Sequence, residues 1–158
     1  MTALRLPLGQ IIAQANRVLC ESSLAGQYAT LVCGPASDTG ELEIHNAGHL
    51  PVIVSRRTGA LQIESMGFPL GMFCEGEFPV SRLKLEAGDT LFIYSDGLSE
   101  ADGAGEEYGV DRVARFVQDQ SGRQAAELIA ACLDDLRTFT GGGPQTDDLT
   151  VLAIQRRC

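Results

Sequence analysis

The sequence predicts an α+β fold in which two antiparallel β-sheets pack as a sandwich with flanking helices. Three observations predict it. A strand-like period of two runs through residues 28–64 and 79–95, helical spacing governs three other segments, and an apolar strand occupies residues 148–154. Strands in runs with segregated helices are typical of this class. The 158 residues, 44% of them apolar, suffice for one core, so we expect a single domain over residues 1–158.

Three helices are predicted from apolar residues that recur on one face. The first covers Leu8–Ser22, with Asn16 and Arg17 expected on the polar side. The second covers residues 110–118, and the third covers residues 124–139 and ends before a glycine run.

The strands are predicted from alternating apolar residues bounded by turn residues. We expect them at residues 28–33, 42–46, 51–55, 61–64, 79–85, 90–95 and 148–154. The first four follow one another through short turns, which predicts an antiparallel meander. The last is nearly continuously apolar, which is typical of a strand buried on both faces.

The charge balance excludes two classes of partner. A net charge of −9 and a pI near 4.6 repel nucleic acid and anionic membranes, and no basic cluster makes a local exception. No apolar run is long enough to span a bilayer, and the N-terminus does not resemble a secretion signal. We therefore expect a cytoplasmic protein.

The five cysteines are widely spaced and form no C-x-x-C pair, which argues against a zinc site. Cys20, Cys33 and Cys132 lie within apolar patterns and are expected to pack as small hydrophobes. Cys158 is terminal, and we assign it no function.

Acidic residues mark the ends of two strands. The strand before Asp96 and Gly97 ends at a carboxylate, and the last strand begins after Asp147 and Asp148. If the two strands are antiparallel neighbours, these carboxylates meet at one rim, where they repel unless a cation or proton lies between them. Oxygen ligands favour Mg²⁺ or Mn²⁺. Asp-Gly and Asp-Asp are also common in plain turns, so a purely structural role stays open here.

The order of motifs along the chain carries a family resemblance. It comprises Asn46-Ala47-Gly48-His49-Leu50-Pro51, Gly67-Phe68-Pro69-Leu70-Gly71, Gly88-Asp89, Ser95-Asp96-Gly97-Leu98-Ser99-Glu100-Ala101, Tyr108-Gly109 and Gln145-Thr146-Asp147-Asp148-Leu149-Thr150. This ordered set resembles a bacterial SpoIIE-like, RsbU-like phosphatase of the metal-dependent PPM (type 2C) protein serine/threonine phosphatase family. The resemblance covers the chain from about Leu8 to Ile154.

The resemblance implies an activity, a metal site and a kind of substrate. Asp96 and Asp147 match aspartates that coordinate Mg²⁺ or Mn²⁺ in this family, and Asp148 is a weaker candidate ligand. A complete domain holds two such cations, which activate a water for in-line attack on phosphate. The implied substrate is a phosphorylated serine or threonine on a regulatory protein of the anti-sigma-factor antagonist type.

The other motif residues have more modest interpretations. His49 is either a general acid for the leaving hydroxyl or a hydrogen-bonding turn residue. Asn46 and Gly48 are expected to shape the same turn. Gly97 is expected to permit a sharp exit from the strand, and Glu100 to orient the loop after it.

The sequence also departs from the family pattern. The early Gly-Asp motif, whose aspartate bridges both metals, does not occur in this chain. We therefore expect the C-terminal two-thirds of a domain, an incomplete second metal site, and weak or no activity for the chain on its own. Two alternatives stay open: a catalytically silent module that binds a regulatory partner, and a longer natural protein in which Met1 is internal. Exposed sheet edges predict self-association.

Overall fold

The computed structural model describes residues 6–24, 26–145 and 147–157. The helices are α1 (Leu8–Ser22), α2 (Asp96–Ser99), α3 (Val110–Asp119) and α4 (Ala125–Phe139). The strands are β1 (Leu31–Cys33), β2 (Glu41–Ala47), β3 (Val52–Arg56), β4 (Gly59–Ile63), β5 (Ser81–Lys84), β6 (Thr90–Tyr94), β7 (Asp102–Gly103), β8 (Glu106–Glu107) and β9 (Val151–Gln155). The chain forms two compact units, one of residues 6–49 and 64–84 and one of residues 50–63 and 85–157.

The first unit is a three-stranded sheet with one helix. The strand order is β1-β2-β5, and both pairings are antiparallel. Helix α1 contributes the buried Ile12 to a small core that includes Ala47 and Leu70. The predicted bounds of α1 are confirmed.

Asn16 lies on the buried side of α1, so the prediction that it faces solvent was wrong. Its side chain is only 1% exposed. The Asn16 amide donates to the carbonyl of Phe73 at 2.9 Å, and its oxygen accepts from the Gly71 N–H at 2.9 Å. Because a buried amide must be hydrogen-bonded, Asn16 fastens residues 71–74 to the helix.

A disulfide joins Cys20 of α1 to Cys74, 54 residues further along the chain. The prediction that Cys20 packs as a free small hydrophobe was therefore wrong. Cys33 is half-buried and Cys132 is buried, and both are free thiols. Cys158 lies outside the described residues.

The second unit is built on a four-stranded antiparallel sheet of order β4-β3-β6-β9. Helices α3 and α4 cover one face of it. The core on that face contains Ile53 and Phe92 from the sheet and Val113, Val117 and Leu128 from the helices. These apolar side chains are at most 2% exposed.

A buried tyrosine links the start of α3 to α4. The Tyr108 hydroxyl donates to the Asp135 carboxylate at 2.6 Å. Burial and this carboxylate raise the pKa of Tyr108 well above its ordinary value, and burial raises the pKa of the nearby Cys132 thiol to about 12. Gly109 precedes α3 with φ at +80°, a conformation that favours glycine.

The predicted class is confirmed, since the chain forms antiparallel sheets with flanking helices. Two details were wrong. β2 pairs with β1 and β5, and β3 pairs with β4 and β6, so the first four strands are not one meander. In β9, Leu152 and Ile154 are each 48% exposed, so one face of this strand is not buried within the chain. No helix in residues 6–24, 26–145 and 147–157 is long and apolar enough to cross a membrane.

Candidate metal-binding rim of the second unit

The acidic ends of β6 and β9 meet at one edge of the second unit. The two strands are antiparallel, with Tyr94 opposite Val151. Beyond that pair, the Ser95 N–H donates to the Thr150 carbonyl at 3.0 Å. Because the ladder continues to this point, Asp96 follows the end of one strand where Asp147 and Asp148 precede the other, as the antiparallel arrangement predicts.

Ser95 ties the two segments together with its side chain. Its hydroxyl donates to the Asp148 carbonyl at 2.9 Å and accepts from the Thr150 N–H at 2.8 Å. The Ser95 hydroxyl therefore replaces one backbone acceptor of the ladder and fixes the approach of the Asp147-Asp148 segment.

Gly97 is required by space and not by backbone conformation. Its φ is not in the left-handed region, and it lies in the first turn of α2. A Cβ added there would lie 2.5 Å from the Asp148 carbonyl oxygen and 3.2 Å from that of Asp147. The chain does leave β6 and enter α2 at this point, and close contact adds a steric reason for the glycine. Gly97 lets the backbones that carry the aspartates touch.

The carboxylates themselves are held by their own loops and stay exposed. One oxygen of Asp96 accepts from the Gly97 N–H at 3.0 Å, and one oxygen of Asp147 accepts from the Asp148 N–H at 2.7 Å. Asp96, Asp147 and Asp148 are exposed, and none of them forms an ion pair within the described residues. Exposed carboxylates without a cationic partner are the donors that a hard cation uses.

The donor chemistry of the rim fits one Mg²⁺ or Mn²⁺ but not a pair. Mg²⁺ is commonly bound by one or two carboxylates together with water and phosphate oxygens, and Asp96 and Asp147 can supply that pair. Across the part of the chain that the structure describes, however, no group of three or more His, Cys, Asp or Glu side chains is placed to hold a metal ion. Asp148 is a further carboxylate of this segment, but a second cation would need ligands that the described residues do not bring together here.

Glu100 lies at the far end of α2. Its backbone N–H donates to the Asp96 carbonyl at 2.8 Å, which closes the helical turn that begins at Asp96. The Glu100 side chain is exposed. Glu100 thus supports the loop after Asp96 through its backbone N–H.

His49, Asn46 and Gly48 belong to the first unit. The side-chain oxygen of Asn46 accepts from the His49 N–H at 3.0 Å, and Gly48, with φ at +69°, donates its N–H to the Gly67 carbonyl at 3.0 Å. The Pro69 ring packs so closely that a Cβ on Gly48 would overlap it. Asn46 and Gly48 therefore shape a turn, as predicted, while a catalytic role for His49 stays a prediction.

Sequence reasoning missed the polar groups that hold the rim. The sequence places Ser95 and Gln145 in motifs but predicts no hydrogen bond for either, whereas the Gln145 side chain donates to the Asp147 carbonyl at 2.6 Å. A signal was available for Ser95. A hydroxyl directly before an acidic strand end can reach the backbone of the neighbouring segment.

The sequence matches a family model over nearly its whole length. The model described as "Stage II sporulation protein E (SpoIIE)" matches residues 1–157. The chain belongs to the SpoIIE family. Among curated proteins, Protein IcfG of Synechocystis sp. is 29% identical to this SpoIIE-family chain over 132 residues, which are 82% of the chain and 21% of IcfG. The chain thus spans about a fifth of that relative.

Solved structures share the fold of this SpoIIE-family chain. The SiaA-PP2C domain of Pseudomonas aeruginosa has a TM-score of 0.76 at 18% identity, covering 93% of the chain and 60% of that domain. The RsbU and RsbW domains of Rv1364c from Mycobacterium tuberculosis give 0.73 at 25% identity, covering 96% and 42%. The phosphatase domain of SpoIIE from Bacillus subtilis, presoaked with Mn, gives 0.65 at 17% identity, covering 98% and 77%. The fold is that of PP2C-type phosphatase domains.

Proposed function

We propose that this chain is the metal-binding part of a protein serine/threonine phosphatase that acts on a phosphorylated bacterial regulatory protein of the anti-sigma-factor antagonist type. Membership of the SpoIIE family and the exposed acidic rim support the proposal. The observation that carries it is the contact between Gly97 and the Asp147-Asp148 backbone, which places the two motif aspartates at one edge.

Each rim residue has a defined part in this proposal. Asp96 and Asp147 bind the cation, Asp148 is a weaker ligand, and Ser95 and Gly97 hold the two segments in place. When bound, Mn²⁺ or Mg²⁺ supplies charge neutralisation at the phosphate and lowers the pKa of a water. Without a cation, the acidic rim and the net charge of −9 would repel a phosphorylated substrate. We further propose a cytoplasmic location.

The catalytic proposal is tested by Mn²⁺-dependent release of phosphate from a phosphoserine protein. We compare this chain with a form extended upstream of Met1, each with Asp96→Asn and with the matched exposed control Asp119→Asn. We expect Asp96→Asn to lower the rate about 100-fold or more, because loss of a metal ligand exceeds the 10- to 100-fold cost of losing a supporting hydrogen bond. If neither form released phosphate with Mn²⁺ or with Mg²⁺, the proposal that the protein is a phosphatase would be contradicted.

A silent module that binds a regulatory partner is the second candidate function. It is favoured by the absence, within the described residues, of any group of three or more His, Cys, Asp or Glu side chains placed to hold a metal ion. This candidate predicts that partner binding survives Asp96→Asn with metal omitted. Binding that disappears together with the metal would contradict it and support the phosphatase.

We also propose self-association through β9. This strand is the outer member of its sheet, and its Leu152 and Ile154 are half exposed. An edge strand with exposed apolar side chains is a template for pairing with another strand. Light scattering at increasing concentration tests this. A monomer throughout the micromolar range would contradict it.

A further inference from the structure

An exposed segment of the first unit, residues 72–77, lies against helix α1 between two fixed points, and we call it the strap. Before it, Leu70 exchanges two backbone hydrogen bonds with Ala29, at 2.9 and 2.7 Å. After it, the Phe78 carbonyl is hydrogen-bonded to Nδ1 of His45 at 2.7 Å. All six residues of the strap are exposed. Packing in the core therefore does little to hold the strap between these two points.

Two residues of α1 attach the strap to the helix. The Asn16 amide donates to the Phe73 carbonyl at 2.9 Å and to the Cys74 carbonyl at 3.3 Å. One turn further along the helix, Cys20 forms the disulfide with Cys74. Because positions four apart lie on one face of a helix, both attachments act on the same part of the strap. Across the residues that the structure describes, no backbone–backbone hydrogen bond involves residues 73–77.

Other contacts add little to this attachment. Arg17 of α1 lines the same surface hollow as Glu75 and Glu77, but no ion pair joins them within the described part of the chain. The Phe73 ring packs edge-to-face on Phe68, with the ring centroids 4.9 Å apart, while both rings stay more than half exposed. Without the disulfide, the strap would be held mainly by the Asn16 hydrogen bonds and this exposed ring contact.

The disulfide is accessible to thiols from its Cys74 side. Cys74 is exposed, whereas Cys20 is half-buried. Exposed disulfides are typically the labile or regulatory ones, while structural disulfides resist reduction. In a reducing compartment such as the cytoplasm, the disulfides that occur are usually transient or redox-sensing. An exposed bond that fastens a surface segment fits a reversible role better than a permanent one.

We propose that the Cys20–Cys74 bond is a redox switch that pins the strap to α1 when oxidised and releases residues 72–77 when reduced. The reductant is a dithiol. One thiolate of the dithiol attacks the exposed Cys74 sulfur, forms a mixed disulfide and expels Cys20 as a thiolate, which takes up a proton. The second thiolate attacks the dithiol sulfur of the mixed disulfide, closes a cyclic disulfide and expels Cys74, which is protonated in turn. Two electrons and two protons thus pass from the dithiol to the protein. The inference does not depend on the proposed function.

The first test measures whether the folded chain is reduced. Dithiothreitol is added to the oxidised chain, and the free thiols of Cys20 and Cys74 are counted by alkylation and mass spectrometry. We expect a rate that is proportional to dithiothreitol concentration and unchanged by urea below the unfolding transition, because the attacked sulfur is already exposed. A rate that rises steeply with urea in this range would show that the chain must unfold first, and would overturn the switch.

The second test measures whether the strap is released. A glutamate-specific protease cuts after Glu75 and Glu77 in the strap, and the exposed Glu106 and Glu107 of β8 are control sites on the same chain. We expect reduction to speed cleavage in the strap about tenfold or more, because loss of a covalent attachment exceeds loss of one hydrogen bond, which is worth up to about tenfold. Cleavage in β8 should stay unchanged. The double variant Cys20→Ser with Cys74→Ser should behave like the reduced chain without any reductant.

NMR relaxation of the backbone amides gives a readout without cleavage. Order parameters in the strap should fall from about 0.85, typical of rigid backbone, to below about 0.6 on reduction, while those of Leu70 and Phe78 stay unchanged. Cys33→Ser removes a half-buried free thiol and is the matched control, which should respond to dithiothreitol as the unaltered chain does. Equal order parameters of the strap in both redox states would overturn its release. Faster cleavage in the strap and in β8 alike would also overturn it, by showing a general loss of stability instead.

Discussion

The acidic rim around Asp96 and the turn around Asn46 are built by the same device and differ in what they leave exposed. In each, a glycine lets another segment approach closely: Gly97 meets the Asp148 backbone, and Gly48 meets the Pro69 ring. In the turn, the Asn46 side chain is buried and its oxygen accepts a hydrogen bond from the His49 N–H. At the rim, the carboxylates stay exposed. A closely packed glycine is common to both regions, so it does not identify a functional site. The exposed carboxylates do, because they remain available to bind a cation.

The largest effect on stability is expected from removal of the Cys20–Cys74 disulfide in the first unit. Cys20→Ser with Cys74→Ser should lower the free energy of unfolding by about 4 kcal/mol, because the disulfide closes a loop of 54 residues. Urea unfolding measures this, with Cys33→Ser as the free-thiol control. Mn²⁺ affinity should stay unchanged, since the rim belongs to the other unit. Loss of Mn²⁺ binding in this double variant would contradict the claim that the rim is independent of the disulfide.

The two glycines should respond differently to the same substitution. Gly48→Ala is expected to cost about 3 kcal/mol of stability, from backbone strain at φ +69° and overlap with Pro69, with little effect on Mn²⁺ affinity. Gly97→Ala should cost about 1 to 3 kcal/mol and also lower Mn²⁺ affinity about tenfold, because its Cβ pushes the Asp147-Asp148 segment away. Thermal unfolding and calorimetry with Mn²⁺ check both. Equal loss of metal affinity in the two variants would show that the distinction is wrong.

The smallest effect concerns pH and the core of the second unit. Burial raises the pKa of Cys132 to about 12 from its ordinary 9.0. Above pH 9 the unfolded chain loses this proton while the folded chain keeps it, so the stabilisation is complete below pH 9 and lost towards pH 12. Between pH 9 and 10 the thiol should lower stability by at most about 1.4 kcal/mol per pH unit. The free energy of unfolding, measured in urea at several pH values in this range, should fall less steeply with pH in Cys132→Ala than in the unaltered protein. Identical pH dependence in the two proteins would refute the raised pKa of Cys132.

The acidic rim could be predicted from the sequence, whereas the disulfide and the strand pairing of the first unit could not. Alternation in β6 and the acidic start of the segment before β9 predict their antiparallel meeting, because side-chain period and strand direction are local properties. The Cys20–Cys74 bond could not be predicted, since a separation of 54 residues has no local signature. The pairing of β2 with β5 and not β3 is likewise set by contacts distant in sequence.

One residue was misplaced although a signal existed. Asn16 stands four residues after the buried Ile12 and three before Leu19, so helical spacing places it on the apolar face. Its polarity led to the opposite prediction. A polar side chain on the apolar face of a helix is better taken as a buried hydrogen-bonding group, here one that clamps residues 71–74.

The Cys20–Cys74 bond also bears on where the protein resides. Disulfides persist mainly in oxidising compartments and are uncommon in the reducing cytosol. The cytoplasmic location therefore stays a prediction, and thiol labelling of the protein taken directly from its cell would show whether these two cysteines are paired there.

The central claim is that Asp96 and Asp147 together hold a divalent cation. Isothermal titration of the chain with Mn²⁺ tests it most directly, with Asp96→Asn, Asp147→Asn and the exposed control Asp119→Asn measured beside it. We predict one Mn²⁺ per chain, affinity lowered about 100-fold or more by either rim substitution, and no change with the control. Mn²⁺ binding that is equal in all four proteins would contradict the claim and leave the rim a structural turn.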